Sequence, residues 1–384
     1  MKAPTDFYRE ELTRLTDEGN LRRIPACDSP RGLIDLSSND YLGLAECNDL
    51  RREFLYTTGW SDLALTSSAS RLLAGSQSVY TRLETTLSEL YGRQVLLFNS
   101  GYHANTGIVA ALAGAPRTLI VADRLVHASI IDGITLSRAP FTRFRHNDIE
   151  HLERILAKES GNYDRVLVIT ESVFSMDGDR ADIEALIDLR KRFPKMLLYI
   201  DEAHAVGALG RKGLGLVADS RRGRRVDVII GTFGKACASM GAFAAVSAEV
   251  KEFLVNRARS LIFSTALPPI NIAWTDFIIR HITEMSTDRE YLRLLGERLH
   301  SILSPLSPDH HIEPSHIQPL VVGDPHRAVA LSERLLERGF KVLPIRVPTV
   351  PRGTDRLRVS LSAALKVDDI DRFGIALREC LAQE

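Results

Sequence analysis

The chain has 384 residues, of which 45% are hydrophobic and 26% charged, and this length exceeds what one hydrophobic core usually organises. Lys plus Arg and Asp plus Glu each total 49, a formal net charge of zero, which supplies no basic field for nucleic acid or an anionic membrane surface. The four cysteines, Cys27, Cys47, Cys237 and Cys380, fall in no CxxC pair or metal-ligand spacing, the opening MKAPTDFYREEL has no apolar signal region, and no apolar run reaches membrane-spanning length; the expectation is a cytoplasmic protein with no metal, nucleic-acid or membrane partner.

Residues 6–16 carry Tyr8, Leu12 and Leu15 at helical spacing and predict an amphipathic helix running towards Arg22 and Arg23. Arg22 is a solvated helix end or a bidentate partner for a carboxylate. LIDLSSNDYLGLA, Leu33 to Ala45, reads as a short strand meeting a polar turn, where Asn39 bonds a ligand or its own backbone. TSSASRLLAG, Thr66 to Gly75, is rich in small and hydroxylated residues and precedes a helix from Val79 to Tyr91.

From Gln94 an order repeats: apolar run, polar turn, amphipathic helix. The runs are 95–98, 119–122, 141–144, 166–170, 197–200 and 228–231. Strands alternating with helices predict an α/β fold with a mainly parallel sheet covered on both faces, whose ligands lie beyond the carboxyl ends of the strands.

Those ends are where the chemistry-bearing residues collect. NSGYHANTG places Ser100, Gly101 and Tyr102 at the start of a helix whose free N–H groups suit a phosphate. VADRLVHAS brings His127, ESVFSMDGD brings Glu171, Ser175 and Asp177, and DEAHAVGALG brings Asp201 and His204. The run Val228 to Gly231 is followed by Thr232 and Lys235, and Lys235 is the one charge between Ile229 and Ala248. Singly, each has an ordinary reading as a cap, a hydrogen-bonded core histidine or a solvated lysine.

Together they are the parts of a pyridoxal phosphate site. A lysine in apolar surroundings has its charged form disfavoured and serves as a nucleophilic amine for Schiff-base chemistry. Asp201 would hold a proton on the pyridine nitrogen, His127 would stack on the ring, and His204 or Ser175 would bond the ring hydroxyl. The N–H groups of Gly101 and Tyr102, with the Thr232 hydroxyl, would take the phosphate.

Beyond Gly241 the run 242–246 is expected to return antiparallel beside its neighbour, since a parallel crossover needs a dozen or more residues. In FSTALPP, Phe263 to Pro269, Ser264 and Thr265 are helix-start signals or ligand contacts, and a long helix follows to Glu284. After a polar break near Thr287 come helix 291–303, strand 317–322, helix 328–338, strands 341–343 and 357–360, and helix 368–381. This predicts a small α+β domain. The expected organisation is an N-terminal helix and substrate-contacting segment (1–45), a large α/β domain (46–287) and the C-terminal domain (288–384). Arg358, inside RLRVS, is a carboxylate partner or a solvent-facing edge residue, and Thr349 lies in a proline-stiffened loop, Val347 to Pro351.

SSNDYLGL (Ser37 to Leu44), SASRLLAG (Ser68 to Gly75), FNSGYHAN (Phe98 to Asn105), ESVFSMDGD, DEAHAVGALG, TFGKACASMGA (Thr232 to Ala242) and FSTALPP, in this order, resemble the fold type I pyridoxal phosphate enzymes and, within them, the alpha-oxoamine synthases. The resemblance spans nearly the whole chain. It implies a seven-stranded, mainly parallel sheet and a homodimer with the active site at the subunit interface. It also implies Lys235 as the covalent cofactor anchor and later the general base, with His127 on the ring and Thr265 reaching the phosphate of the partner's cofactor. Arg22, Asn39, Thr349 and Arg358 would contact substrate.

IQPLVVGD (Ile317 to Asp324) and PTVPRGTDRLRVSLSAAL (Pro348 to Leu365) look most like the branch that condenses L-alanine with a pimeloyl thioester, pimeloyl-CoA or pimeloyl-acyl carrier protein, in biotin synthesis. Two departures stand out: TSSAS at Thr66 to Ser70 replaces a glycine-rich loop, and DEAHAVG is shared with branches of other specificity. Those branches use glycine with acetyl-CoA or serine with a long acyl chain, and a non-catalytic binding subunit of the same fold is the alternative from another class.

Overall fold

In the computed structural model the described residues are 3, 5–24, 32–74, 78–308, 310 and 313–383, so Cys27 and Gly75, the last residue of SASRLLAG, lie outside them. Their strands in chain order are β1 (Ile34–Asp35), β2 (Gln94–Phe98), β3 (Thr118–Asp123), β4 (Phe141–Phe144), β5 (Arg165–Glu171) and β6 (Met196–Asp201). Then come β7 (Val228–Thr232), β8 (Ala242–Val246), β9 (Ile317–Val321), β10 (Phe340–Lys341), β11 (Leu343–Ile345) and β12 (Arg356–Ser360). The chain divides into two units, one of Leu42–Ser175 with Arg180–Arg289, the other of Met1–Tyr41, Met176–Asp179 and Glu290–Glu384.

The larger unit is built on a seven-stranded sheet in the order β2-β8-β7-β6-β5-β3-β4. Strands β3 to β7 are mutually parallel; β3, β5, β6 and β7 are almost wholly buried, as expected where helices cover both faces, while the edge strand β4 buries only Phe144. β8 runs antiparallel to β7 and β2, as the short connection from Phe233 to Gly241 requires. Leu96, Ile120, Leu167 and Ile230 from the strands pack with Ile108 and Ile130 from the helices Gly101–Ala113 and Ala128–Ser137, all at most 4% exposed. Each such side chain stabilises the fold by about 1.5–3 kcal/mol.

Helix starts are set by side-chain caps: Ser100, Asp148, Asp182 and Ser247 accept from the backbone N–H three residues on. The helix Pro269–Glu284 opens on proline, whose missing N–H costs nothing in the first turn. No helix among the described residues is long and apolar enough to cross a membrane.

In the smaller unit β11, β12 and β9 form an antiparallel sheet with β12 in the middle, and β1 pairs in parallel with β10. The single strand expected over 341–343 is therefore two, in different sheets. Between them Val342 is 2% exposed and its carbonyl accepts from Ser332 Oγ at 2.6 Å. The break expected near Thr287 falls at Met285, between the helix ending at Glu284 and the next, which starts at Ser286 rather than 291 and runs to Leu303, with Asp288 in its first turn complementing the helix dipole.

Candidate active site

Lys235 lies just beyond the carboxyl end of β7, in a loop tied to itself and to the helix behind it. Phe233 N donates to Gly241 O at 2.9 Å and Ser239 N to Phe233 O at 2.9 Å. From the helix Pro269–Glu284, Trp274 Nε1 donates to Ala238 O at 2.9 Å, Asn271 Nδ2 to Met240 O at 2.9 Å, and Thr275 Oγ1 lies 2.7 Å from Ser239 Oγ. Ala236 packs against Gly207, where an added Cβ would come 2.5 Å from the Ala236 Cβ. The Lys235 Nζ is 2.7 Å from His204 Nε2, and His204 is 5% exposed.

The sheet register puts carboxylates beside this lysine. Asp201 ends β6 opposite Ile230 of β7 and Glu171 of β5. One Asp201 oxygen accepts from Ala203 N at 2.8 Å, the other from Asn105 Nδ2 at 2.7 Å. Glu171 is 3% exposed and accepts from His127 N at 2.6 Å. Burial, reinforced by the charge of Asp201 and opposed by Lys235, holds the Glu171 carboxyl well above the usual range.

His127 caps the helix Ala128–Ser137, its Nδ1 accepting from Ser129 N at 3.2 Å and lying 2.7 Å from Ser129 Oγ. Burial pulls its imidazole below the ordinary value; Asp201 opposes this and Lys235 adds to it.

At the start of the helix Gly101–Ala113 the first N–H groups have no carbonyl one turn back. Ser100 Oγ takes that of His103. A Cβ placed on Gly101 would lie 3.8 Å from Thr232 Oγ1, so this helix terminus and the Thr232 hydroxyl adjoin. That hydroxyl donates to Gly241 O at 3.1 Å and accepts from Gly234 N at 3.3 Å. The Tyr102 side chain turns outward and donates to Asp132 Oδ2 at 2.6 Å. Ser175 is half-buried, four residues past β5.

Thr265 is exposed; its carbonyl accepts from Asn99 Nδ2 at 2.6 Å, and it forms a bridge with Ser70. The departing loop TSSAS is held by the same segment: Ser67 Oγ donates to Leu267 O at 2.7 Å and Ala266 N to Ala69 O at 2.9 Å.

The structure thus gathers Lys235, His204, Asp201 and His127, with Gly101 and Thr232 adjoining each other, at the strand ends of the larger unit. Asn105, Ser129 and Tyr199 belong to the same network and went unremarked in the sequence; Glu171 was noted there without a role.

In the smaller unit Arg22 Nη2 donates to Thr349 Oγ1 at 2.8 Å. Arg358 donates to Asn39 Oδ1 at 3.1 Å, Tyr41 OH at 3.4 Å and Ser360 Oγ at 3.2 Å. It is 4% exposed in the middle strand β12, which removes the solvent-facing edge alternative. Asp177, from the ESVFSMDGD turn, pairs with Arg356 of the same unit.

A seven-stranded sheet with an amine and a buried carboxylate at adjacent strand ends defines the class. The chain belongs to the aminotransferase class I and II family, whose model matches residues 31–376, and it has the fold type I architecture of pyridoxal phosphate transferases. Its relatives carry a more particular name: proteins of Pasteurella multocida (45% identical, 97% of this chain and 98% of that one) and Neisseria meningitidis serogroup A (47%, 96% and 99%) are provisionally named 8-amino-7-oxononanoate synthase.

Among solved structures, a serine palmitoyltransferase of S. paucimobilis holding PLP and myriocin matches at TM-score 0.86 and 28% identity over 98% of both chains. The 8-amino-7-oxononanoate synthase of Francisella tularensis, at 24% identity, TM-score 0.76 and 91% of this chain against 98% of that one, shares the fold.

Proposed function

We propose that this chain is a pyridoxal phosphate-dependent acyltransferase that condenses L-alanine with a pimeloyl thioester, giving 8-amino-7-oxononanoate, carbon dioxide and free thiol for biotin synthesis. The relatives' name supports it. The observation that carries the chemistry is the Lys235 amine beside His204, at the strand end next to the one holding Asp201.

The residues present fit the cofactor. An amine is available for its aldehyde, Asp201 for its ring nitrogen, and a helix start beside the Thr232 hydroxyl for its phosphate. When bound, pyridoxal phosphate supplies an aldehyde for covalent attachment and a ring that draws electrons from the amino-acid α carbon.

The chain's own groups do the rest. Lys235 would hold the cofactor through its Nζ, and the same amine, when free, would serve as the base that takes the α proton and later returns one. His204 Nε2, in contact with Nζ, accepts a proton from the ammonium form and keeps the amine available. Asp201, whose two oxygens each accept an N–H bond, would hold the ring nitrogen of the cofactor. His127 presents a neutral ring face. Arg22, Asn39, Thr349 and Arg358 contact substrate, with the guanidinium of Arg358 suited to the amino-acid carboxylate. Two copies form a cytoplasmic dimer in which the exposed Thr265 reaches the partner's cofactor phosphate.

A panel of amino acids against acyl thioesters, read by product mass, tests this reading. L-alanine with pimeloyl-CoA or pimeloyl-acyl carrier protein should give the dominant product; faster turnover of glycine with acetyl-CoA, or of serine with palmitoyl-CoA, would replace it.

A further inference from the structure

The four polar side chains Tyr199, Asn105, Ser129 and His127 form a single run of hydrogen bonds inside the larger unit, with Asp201 as a branch. Tyr199 OH donates to Asn105 Oδ1 at 2.6 Å, and Asn105 Nδ2 donates to Asp201 Oδ2 at 2.7 Å and to Ser129 Oγ at 2.9 Å. Ser129 Oγ lies 2.7 Å from His127 Nδ1. Asn105, Ser129 and Tyr199 are each at most 2% exposed.

The directions follow from chemistry. An ionised carboxylate only accepts, so the amide must turn its NH₂ towards Asp201, which leaves its oxygen for the tyrosine hydroxyl. Both amide hydrogens are then used, one on Asp201 and one on Ser129. Because Ser129 Oγ accepts from Asn105, its own proton is free for His127 Nδ1, which also accepts Ser129 N–H at 3.2 Å. Two donors on one ring nitrogen exclude a proton there.

We propose that Asn105 is a positioning residue that sets the proton pattern of the site, keeping Asp201 an unprotonated acceptor and His127 the neutral tautomer with its proton on Nε2. This rests on the reading of Asp201 and His127 as cofactor contacts. A proton on His127 Nδ1 would have to displace the Ser129 N–H bond, and the Asn105 amide fixes the position of the Ser129 oxygen that faces that nitrogen. Burial acts in the same direction on His127. Tyr199 orients the amide from behind, and two residues further along β6 Asp201 emerges on the same face of the strand.

The test uses the full-length protein, unaltered and as Asn105→Ala and Tyr199→Phe, with ¹⁵N-labelled histidine; His127→Gln identifies the His127 signals. Nitrogen shifts report which ring atom carries the proton, and titration with pyridoxal phosphate gives the affinity. The unaltered protein should show His127 with Nδ1 unprotonated. In Asn105→Ala the imidazole midpoint should rise by about one pH unit, and cofactor binding should weaken about tenfold through the lost bond to a charged group.

Tyr199→Phe should move both readouts in the same direction by about threefold or the equivalent shift, and it decides alone if Asn105→Ala does not fold. A His127 proton on Nδ1, or unchanged midpoint and affinity in the variants, overturns the inference: an asparagine needed only for packing would lower thermal stability and leave both readouts in place. Failure of the unaltered protein to take up pyridoxal phosphate would instead overturn the functional reading, and the inference with it.

Discussion

In the larger unit the buried Glu171, Asp201, His204 and Thr232 stand at or just beyond the carboxyl ends of β5, β6 and β7. In the smaller unit the buried Arg358 sits mid-strand in β12 and bonds to the oxygens of Asn39, Tyr41 and Ser360. The first arrangement is one for holding and moving protons, because donors and acceptors of protons adjoin in it: Lys235 with His204, Glu171 with Asp201, His127 with Ser129. The second keeps a permanent cation dry and oriented, which suits recognition of an anion. The two should respond differently to substitution.

The largest effect is expected at Lys235. Lys235→Ala should lower turnover by about 10⁴-fold, the upper range for a general base, with an unchanged far-ultraviolet spectrum; turnover within tenfold of the unaltered protein would remove Lys235 from the chemistry. Asp201→Asn should cost about 10³-fold in kcat, typical of a lost electrostatic contact to a group that changes charge. A change confined to KM would mean that Asp201 serves binding alone.

Burial of a carboxyl outside this proton path gives a third contrast. Glu202 is fully buried, accepts from Leu216 N at 2.7 Å and Val217 N at 3.2 Å, and is raised from 4.5 to about 7 by burial. A raised folded-state value means that its favourable contribution is complete below about pH 4.5 and is lost as pH rises through about 7, a span worth about 3 kcal/mol. Denaturant unfolding at several pH values should show that decline in the unaltered protein and a flatter profile in Glu202→Gln; parallel profiles would show that Glu202 is not the titrating group.

The smallest effect belongs to the smaller unit. Arg358→Lys keeps the charge and loses the planar fork, so KM for the amino acid should rise about tenfold while kcat falls less. An equal loss in kcat would move Arg358 from recognition into the chemical step.

Much of the larger unit was legible in the sequence because local signals and tertiary structure agree there. Apolar runs bounded by polar turns mark β2 to β8, and the short loop after Lys235 dictates the antiparallel return of β8. Lys235 was conspicuous as a lone charge, and Asp201 and His204 by their place after a strand. Glu171 and Asp201 become neighbours only through the β5–β6 register, which no local pattern encodes. Asn105 carried a faint signal, a polar residue one turn past Gly101 where the helix turns apolar towards Ala113, and Tyr199 another, two residues before Asp201 in a buried strand. The return of residues 1–41 to the C-terminal unit was less visible, because it runs through the two-residue strand β1 pairing with β10 across some three hundred positions.

The central claim is that Lys235 is the covalent anchor of a pyridoxal phosphate site. Reducing the cofactor-loaded protein with borohydride, digesting it and weighing the peptides tests this most directly. The account predicts a phosphopyridoxyl mass on the peptide containing Lys235 and on no other. An unmodified Lys235 peptide, or the mass on a different lysine, would contradict it.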